Sequence, residues 1–233
     1  MKRQYNLIHK MDWDTLVVLD ACRYDTFRDI YKEHLTHNCR LECVDSECKD
    51  TISWLKKTWH GKYDIVYYSA HPYVNSKSEF KGWRASEHFT RIVDIWKDGW
   101  NERLSTVEPR VVNDFVIRDM SPKRKVIHYV QPHAPYIGET MFVVTYRPHR
   151  LGVGLMVAEL IKRKYIPHDF IVDAYVDNLR LVLDSVNELL GHLKGKTIIT
   201  SDHGECLGEE GYYIHGGDRP DIIRKVPWCE IEC

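Results

Sequence analysis

Short apolar runs alternate with longer amphipathic segments along most of this chain. The apolar runs occupy residues 15–19, 41–44, 63–70, 125–130 and 197–200. Runs of this length are typical of strands that are buried on both faces of a sheet. The segments between them have helical spacing or capping signals, at residues 24–35, 51–57, 85–97, 107–119 and 169–193. This alternation predicts an α/β fold, with a mostly parallel central sheet and helices on both faces.

Two regions fit this pattern less well. Residues 137–167 show no consistent period, and we expect an insertion there that forms a lid or a wall facing the substrate. Residues 222–231 form a further apolar segment, and Pro227 within it favours an edge strand. Composition does not change sharply along the chain, so residues 1–233 are predicted to form a single domain.

Polar residues capable of chemistry follow several of the predicted strands. Asp20 comes directly after the first run, and His133 lies between two prolines after the run at 125–130. Asp202 and His203 follow the run at 197–200. Ligands of open α/β proteins bind at this edge of the sheet, and Asp and His are good ligands for divalent metals. The pattern favours a metal site; the alternatives are a helix N-cap role for Asp20 and a hydrogen-bonded loop role for His133.

Hydroxyl groups lie at the start of the predicted helix at 51–57. Thr51 opens this helix, and Ser46 precedes it by five residues. A hydroxyl at this point lies near the positive end of the helix dipole, where an anion is favoured. Plain capping by Asp50 or Thr51 is the alternative interpretation.

Charge and cysteine content narrow the choice of partners and compartment. The formal net charge is −1 and the sequence pI is about 6.9, which argues against a nucleic-acid partner held by bulk charge. The N-terminus lacks the apolar region of a signal peptide, and no run approaches the ~18 apolar residues of a membrane span. The seven cysteines include no zinc-type CxxC pair, so we expect mostly free thiols. A cytoplasmic protein without a membrane partner is therefore expected.

The motifs taken together resemble those of the alkaline phosphatase/sulfatase superfamily, and most closely its archaeal sulfatase-like branch. They occupy residues 18–25, 51–55, 69–76, 128–136, 200–209 and 224–228. The resemblance implies an alkaline phosphatase-like three-layer α/β/α fold and a metal-dependent hydrolase of phosphate or sulfate esters. Small esters with a sugar or aryl group are the expected substrates. No glycine-rich phosphate loop follows the first strand, which counts against a nucleotide-binding protein.

The resemblance also implies a set of site residues. It assigns metal binding to Asp20, Asp202, His203 and His215, and substrate binding to Arg23 and His133. The implied cofactor is one or two divalent ions, from Zn, Mn, Mg or Ca. Acidic ligands for a second ion are not evident in the sequence.

The nucleophile is where the chain departs from sulfatases. No cysteine here has the Cys-x-Pro-x-Arg or Cys-x-Ala-x-Arg context that is matured to formylglycine in sulfatases. Thr51 is therefore the best candidate for attack on phosphorus and for a covalent intermediate, with Ser46 and Cys48 as alternatives. The competing interpretation is a catalytically degenerate member that binds a ligand or partner without cleaving it.

Overall fold

A computed structural model describes residues 1–119, 121, 123–143, 159–160, 163, 165–215 and 219–233. Its strands are β1 (Lys2–Arg3), β2 (Thr15–Leu19), β3 (Arg40–Asp45), β4 (Tyr63–Ser69), β5 (Phe89–Asp94), β6 (Trp100–Asn101), β7 (Thr106–Val107), β8 (Lys125–Tyr129), β9 (Lys196–Thr200), β10 (Cys206–Leu207), β11 (Tyr213–Ile214) and β12 (Lys225–Glu232). Its α-helices are α1 (Gln4–Lys10), α2 (Tyr24–His34), α3 (Thr51–Thr58), α4 (Ile95–Asp98), α5 (Pro109–Arg118), α6 (His168–Leu190) and α7 (Pro220–Ile223).

Eight strands form the central sheet, in the order β1-β3-β12-β9-β2-β8-β4-β5. The central strands β9, β2, β8 and β4 are parallel to one another, and β12 is antiparallel to both of its neighbours. All five residues of β2 are buried, as are all five of β8. Strands buried along their whole length are typical of a parallel sheet covered on both faces, and the predicted mostly parallel α/β fold is confirmed.

Alternate residues of each central strand enter different cores. Val17 and Leu19 pack into the core beneath α2, α5 and α6, whereas Leu16 and Val18 pack into the core beneath α1 and α3. This division follows from the two-residue period of a strand. Helices therefore cover both faces, and each buried aliphatic side chain stabilises the fold by about 1.5–3 kcal/mol.

Two sequence-based predictions of elements were wrong. Residues 85–97 were predicted to be one helix, but the middle of that segment is β5, which pairs in parallel with β4 and has a short 3-10 turn before it and α4 after it. Thr90, Ile92 and Val93 are β-branched residues, and pairing with a neighbouring strand favours the extended backbone for them.

The segment around Pro227 is an interior strand, not an edge strand. β12 lies between β3 and β9. Pro227 pairs with Cys43 of β3, but pairing with β9 begins only at Trp228. The proline is tolerated because β9 ends before it, so no hydrogen bond to β9 requires a backbone N–H at this position.

Other predictions on the chain as a whole have mixed outcomes. Most of the predicted lid at 137–167 lies outside the described residues, and the single-domain prediction stays a prediction.

Cys39 and Cys229 form a disulfide with a Cα–Cα distance of 5.5 Å, and the remaining five cysteines are thiols. Among the described helices, none has both the length and the apolar character needed to cross a membrane.

Gln4 links three elements beneath the sheet edge where the polar residues collect. Its amide nitrogen donates to Oγ1 of Thr200 at 2.7 Å and to the carbonyl of Ser201 at 2.6 Å, and its amide oxygen accepts from the indole N–H of Trp54 at 2.8 Å. The side chain is 1% exposed. α1, the end of β9 and α3 are therefore joined by one buried amide.

Replacing Gln4 by leucine should destabilise the protein by roughly 2–4 kcal/mol, because buried polar groups of Ser201 and Trp54 lose their partners. The free energy of unfolding in urea is the measurement. Lys10→Leu, an exposed change on the same helix, is the control and should change that free energy by less than about 0.5 kcal/mol. Equal effects of the two changes would contradict this role for Gln4.

Candidate metal centre

The predicted site residues meet at the carboxyl ends of the central strands. Asp20 follows β2 directly, and Asp202 and His203 follow β9 by two and three residues. Thr51 is the first residue of α3, which covers this end of the sheet on one face. β2 and β9 are neighbours in the sheet, so these side chains lie together although they are distant in sequence.

His203 lies at the centre of this group. Its Nε2 is 3.5 Å from Oδ1 of Asp20, 3.4 Å from Oδ2 of Asp202 and 3.5 Å from Oγ1 of Thr51. Separations of this size are the edges of a tetrahedron whose corners lie about 2.1 Å from its centre, which is the usual bond length from zinc to nitrogen or oxygen. Oδ1 of Asp20 and Oδ2 of Asp202 are buried and accept no hydrogen bond. The residues therefore fit a divalent ion.

Hydrogen bonds orient two of these ligands. Nδ1 of His203 lies 2.8 Å from the carbonyl oxygen of Gly204, so Nδ1 carries the proton and Nε2 keeps its lone pair for a metal. Oδ1 of Asp202 accepts from the backbone N–H of Ala21 at 3.1 Å and of His203 at 2.9 Å. These bonds leave Oδ2 of Asp202 as the free ligand atom.

The start of α3 leaves the hydroxyl of Thr51 available. Asp50 is the N-cap, and its carboxylate accepts from the backbone N–H of Ser53 at 2.7 Å. Thr51 is buried, and its hydroxyl faces His203. The two alternative nucleophiles are placed differently: Ser46 donates to the carbonyl of Cys48 at 3.1 Å, and burial raises the pKa of the Cys48 thiol to about 12.

A second group of metal-type ligands lies beside the first. His133, Glu205 and His215 each offer a ligand atom within 4.8 Å of the others, and the rings of His215 and His203 are 4.4 Å apart. Oε2 of Glu205 and Nε2 of His215 are buried without partners. Nδ1 of His133 lies 2.7 Å from the carbonyl oxygen of Ala134, which again leaves Nε2 as the ligand atom.

This second group bears on two interpretations from the sequence. His133 was predicted to bind substrate, which stays a prediction, and it lies with the predicted metal ligand His215. Glu205 was missed as a candidate ligand, although it follows Asp202 and His203 within the same motif and is an acidic group at the second position. The hydroxyl of Tyr136 donates to the other oxygen of Glu205 at 3.4 Å, which holds the carboxylate in place.

Two further histidines were missed by sequence reasoning. His128 lies inside β8 and is fully buried, and its Nε2 has no partner. It offers a ligand atom within 4.8 Å of Asp20 and Asp202. His71 follows β4 and lies 3.3 Å from Asp20. A histidine within an apolar strand was the available signal for His128, since a buried imidazole needs a polar partner.

Arg23 has structural partners. Its guanidinium donates to Asp25 at 2.9 and 2.6 Å, to Glu209 at 2.5 Å and to the carbonyl of Glu205 at 3.3 Å. These bonds join the loop after β2 to the loop after β9. Substrate binding by Arg23 stays a prediction, and the described contacts give it a positioning role.

Buried carboxyl groups without a cationic side chain paired with them dominate the described part of this site. Burial raises the pKa of Asp20 well above its usual range, and the nearby carboxylates of Asp202 and Glu205 raise it further. Burial also raises the pKa of Glu205 to about 8, although its hydrogen bond from Tyr136 acts in the opposite direction. Burial lowers the pKa values of His133 and His215, so these imidazoles are neutral and available to a metal. A divalent cation would offset the buried charge.

No protein-family model matches the chain, and no curated protein matches it. Several solved structures share its fold. One is the soluble domain of lipooligosaccharide phosphoethanolamine transferase A from Neisseria meningitidis, at 14% identity and a TM-score of 0.52, covering 92% of this chain and 75% of that one. Another is the C-terminal periplasmic domain of EcEptC from Escherichia coli in complex with Zn, at 12% identity and a TM-score of 0.57, covering 94% and 72%.

A protein in the alkaline phosphatase superfamily from Vibrio parahaemolyticus is also similar, at 11% identity and a TM-score of 0.50, covering 94% of this chain and 59% of that one. At these identities the likeness shows the fold, and the predicted alkaline phosphatase-like α/β fold is confirmed. These three neighbours are bacterial, and the expected archaeal branch finds no support among them.

The metal-free protein should lose stability relative to a Glu205→Gln variant as pH rises from 6.5 to about 8. In this window Glu205 holds its proton in the folded state, whereas its unfolded form, with a pKa of 4.5, has lost it. Because the folded state binds more protons, the free energy of unfolding falls with pH, by up to about 1.4 kcal/mol per unit for one group. Urea unfolding across this window is the measurement.

Glu205→Gln is the matched comparison for this pH dependence. Its unfolding free energy should fall less, or rise more, with pH than that of the parent protein, because the amide does not titrate. The buried histidines act in the opposite direction to Glu205 near pH 6.5, since their unfolded forms are still about half protonated there, and comparing the two proteins cancels that contribution. Equal slopes for the parent protein and the variant would contradict the assignment.

Proposed function

We propose that this chain is a metal-dependent hydrolase of phosphate esters, with sulfate esters as the second substrate class, which forms a covalent intermediate on Thr51. The observation that carries the proposal is the contact of Thr51 Oγ1 with Nε2 of His203, at 3.5 Å and within the group of carboxylate ligands. A buried hydroxyl beside metal ligands and at a helix start has the surroundings of an activated nucleophile.

Two ions would be held by different residues. The first would be bound by Asp20, Thr51, Asp202 and His203, and the second by His133, Glu205 and His215. When bound, such ions lower the pKa of a coordinated hydroxyl and neutralise charge on the phosphoryl oxygens. The EcEptC neighbour, which is a complex with Zn, supports the choice of a divalent cation.

Thr51 is the residue of this chain that forms and breaks bonds in the proposed reaction. Oγ1 of Thr51 gives its proton to solvent water and attacks phosphorus, and the bond from phosphorus to the ester oxygen of the leaving alcohol breaks. The departing alkoxide takes a proton from solvent, which replaces the one that Thr51 released. Water then attacks the phosphothreonine, inorganic phosphate or a phosphate monoester leaves, and the threonine hydroxyl is restored with a proton from that water. The positive end of α3 favours the anionic phosphoryl group throughout.

The same intermediate could be resolved by an acceptor other than water. The neighbour from Neisseria meningitidis is a phosphoethanolamine transferase. A transferase would form phosphothreonine with the same residues and pass the group to a second alcohol. Hydrolysis and transfer therefore differ in the acceptor, and a burst of alcohol release without turnover in water would identify transfer.

The degenerate alternative, a protein that binds without cleaving, is less consistent with the described residues. The nucleophile and both ligand groups are present together, and four of the ligand atoms are buried without partners: Asp20 Oδ1, Asp202 Oδ2, Glu205 Oε2 and His215 Nε2. Retaining several buried unpaired polar atoms costs stability, which is best explained by a bound cation.

Thr51→Ala should reduce hydrolysis of aryl phosphate, bis-aryl phosphate or aryl sulfate by at least about 10³-fold, because the nucleophile is lost. Thr51→Ser keeps the hydroxyl and should retain part of the activity. Release of the aryl alcohol with Zn or Mn present is the first measurement. Mass spectrometry of acid-quenched enzyme should detect a phosphorylated peptide containing residue 51 in the serine variant and the parent protein.

Thr58→Ala is the control for this experiment, since Thr58 is a buried threonine at the opposite end of the same helix. It should leave the phosphorylated peptide and the turnover in place. Unchanged hydrolysis by Thr51→Ala, or a phosphoryl group found on Ser46 or Cys48, would contradict the assignment of Thr51 as the nucleophile. Activity that survives exhaustive chelation would sink the metal half of the proposal.

His215→Ala should lower the metal content of the purified protein from two ions to one, because the second group keeps only two of its three protein ligands. Elemental analysis after equilibration with Zn is the measurement. His168→Ala is a suitable control, as His168 is a surface histidine that contacts Tyr213. Equal metal content in the parent protein and His215→Ala would contradict the second site.

A further inference from the structure

His71 reaches the first ligand group from a strand that contributes no ligand to it. The residue follows β4 by two positions, and β8 separates β4 from β2 in the sheet. Its Nε2 nevertheless lies 3.3 Å from Oδ2 of Asp20, and its side chain is 12% exposed. The imidazole thus crosses the end of β8 to meet the carboxylate of Asp20.

The protonated nitrogen of His71 is identified by its other neighbour. Nδ1 accepts a hydrogen bond from the backbone N–H of Tyr73 at 3.1 Å. A backbone N–H is only a donor, so Nδ1 of His71 has no proton and the ring proton is on Nε2. The nitrogen that faces Asp20 is therefore an N–H group.

The loop around His71 is fixed before any ligand binds. Oγ of Ser69 donates to the carbonyl of His71 at 2.7 Å and accepts from its backbone N–H at 3.2 Å. The backbone N–H of Val74 also donates to the carbonyl of His71, at 3.1 Å. The ring stacks on that of His128, with centroids 5.7 Å apart and planes at 25°. These contacts hold the imidazole at the carboxylate.

The two oxygens of Asp20 consequently have different surroundings. Oδ2 faces the N–H of His71, whereas Oδ1 is buried, has no hydrogen-bond partner and faces Nε2 of His203. We propose that His71 is a positioning residue, which holds Asp20 so that Oδ1 alone is presented to the metal. This inference rests on the proposed function only for the presence of a divalent ion, and it requires no particular substrate.

Such a role predicts a defined loss of affinity. Groups that orient a metal ligand typically change metal affinity by about 10–100-fold when removed. Without the N–H of His71, the carboxylate can rotate and offer both oxygens. The coordination geometry should therefore change together with the affinity.

The test uses Co²⁺ as the probe, because its visible absorption bands report coordination number and geometry. The experiments are done on the full chain carrying His133→Ala and His215→Ala, so that binding at the first group is observed alone. In this background, His71→Leu removes the N–H donor, whereas His71→Gln places an amide N–H at a similar distance from the backbone. Chelator competition gives the affinity, and the absorption spectrum gives the geometry.

The expected result is a 10–100-fold loss of Co²⁺ affinity and an altered spectrum for His71→Leu, with both largely restored in His71→Gln. His34→Leu is the matched control, because it removes a histidine–carboxylate contact of the same kind, to Asp184 at 2.6 Å, outside the site. It should leave affinity and spectrum unchanged.

Two other results overturn the inference in distinguishable ways. Unchanged Co²⁺ affinity and spectrum in His71→Leu, with KM raised for an ester in the protein that keeps His133 and His215, would show that His71 contacts substrate and does not position Asp20. The proposed function would survive that result. Failure of the parent chain to bind Co²⁺ at all would overturn the metal-dependent function and this inference together.

Discussion

The rest of this site depends on three carboxylates buried at one edge of the sheet. Asp20, Asp202 and Glu205 are each at most 1% exposed, and each has one oxygen without a hydrogen-bond partner. A buried carboxylate is costly unless it is paired or bound to a cation. No lysine or arginine within the described residues forms an ion pair with any of the three. A divalent cation is therefore the simplest solution to the charge of this edge.

At the same edge, hydrogen bonds to backbone groups determine which side-chain atoms remain free to bind a cation. Asp202 uses one oxygen on two backbone N–H groups, and His203 and His133 use Nδ1 on backbone carbonyls. Each of these bonds turns the opposite atom of the side chain towards the centre of the site. Because the bonds come from loops anchored by parallel strands, the ligand directions are set by the fold before any ion binds.

The sequence predicted the strands better than it predicted the residues that surround the first ligand group. Asp20 directly follows one apolar run, and Asp202 and His203 lie within three residues of the end of another, so the topology of a parallel sheet was enough to bring them together. The positions of His71 and His128 relative to Asp20 depend on the order of the strands in the sheet, and local periodicity does not predict strand order. β5 was missed for a related reason, since its extended backbone is stabilised by pairing with β4 and not by its own pattern. Glu205 was visible in its motif, but only its position beside His133 and His215 reveals a ligand role.

Two of the six described non-glycine residues with a positive φ lie beside candidate ligands. Ala21 has a φ of 59° and Ile214 a φ of 60°, in the left-handed region that costs a residue with a side chain roughly 1–2 kcal/mol. Ala21 follows Asp20 and turns its N–H towards Asp202, and Ile214 precedes His215. For a β-branched residue this conformation is a genuine outlier, and such strain persists where surrounding contacts enforce it. Both of these positions lie next to candidate ligands, one in each group. The strain costs stability at these two positions, and the free energy of cation binding would offset that cost.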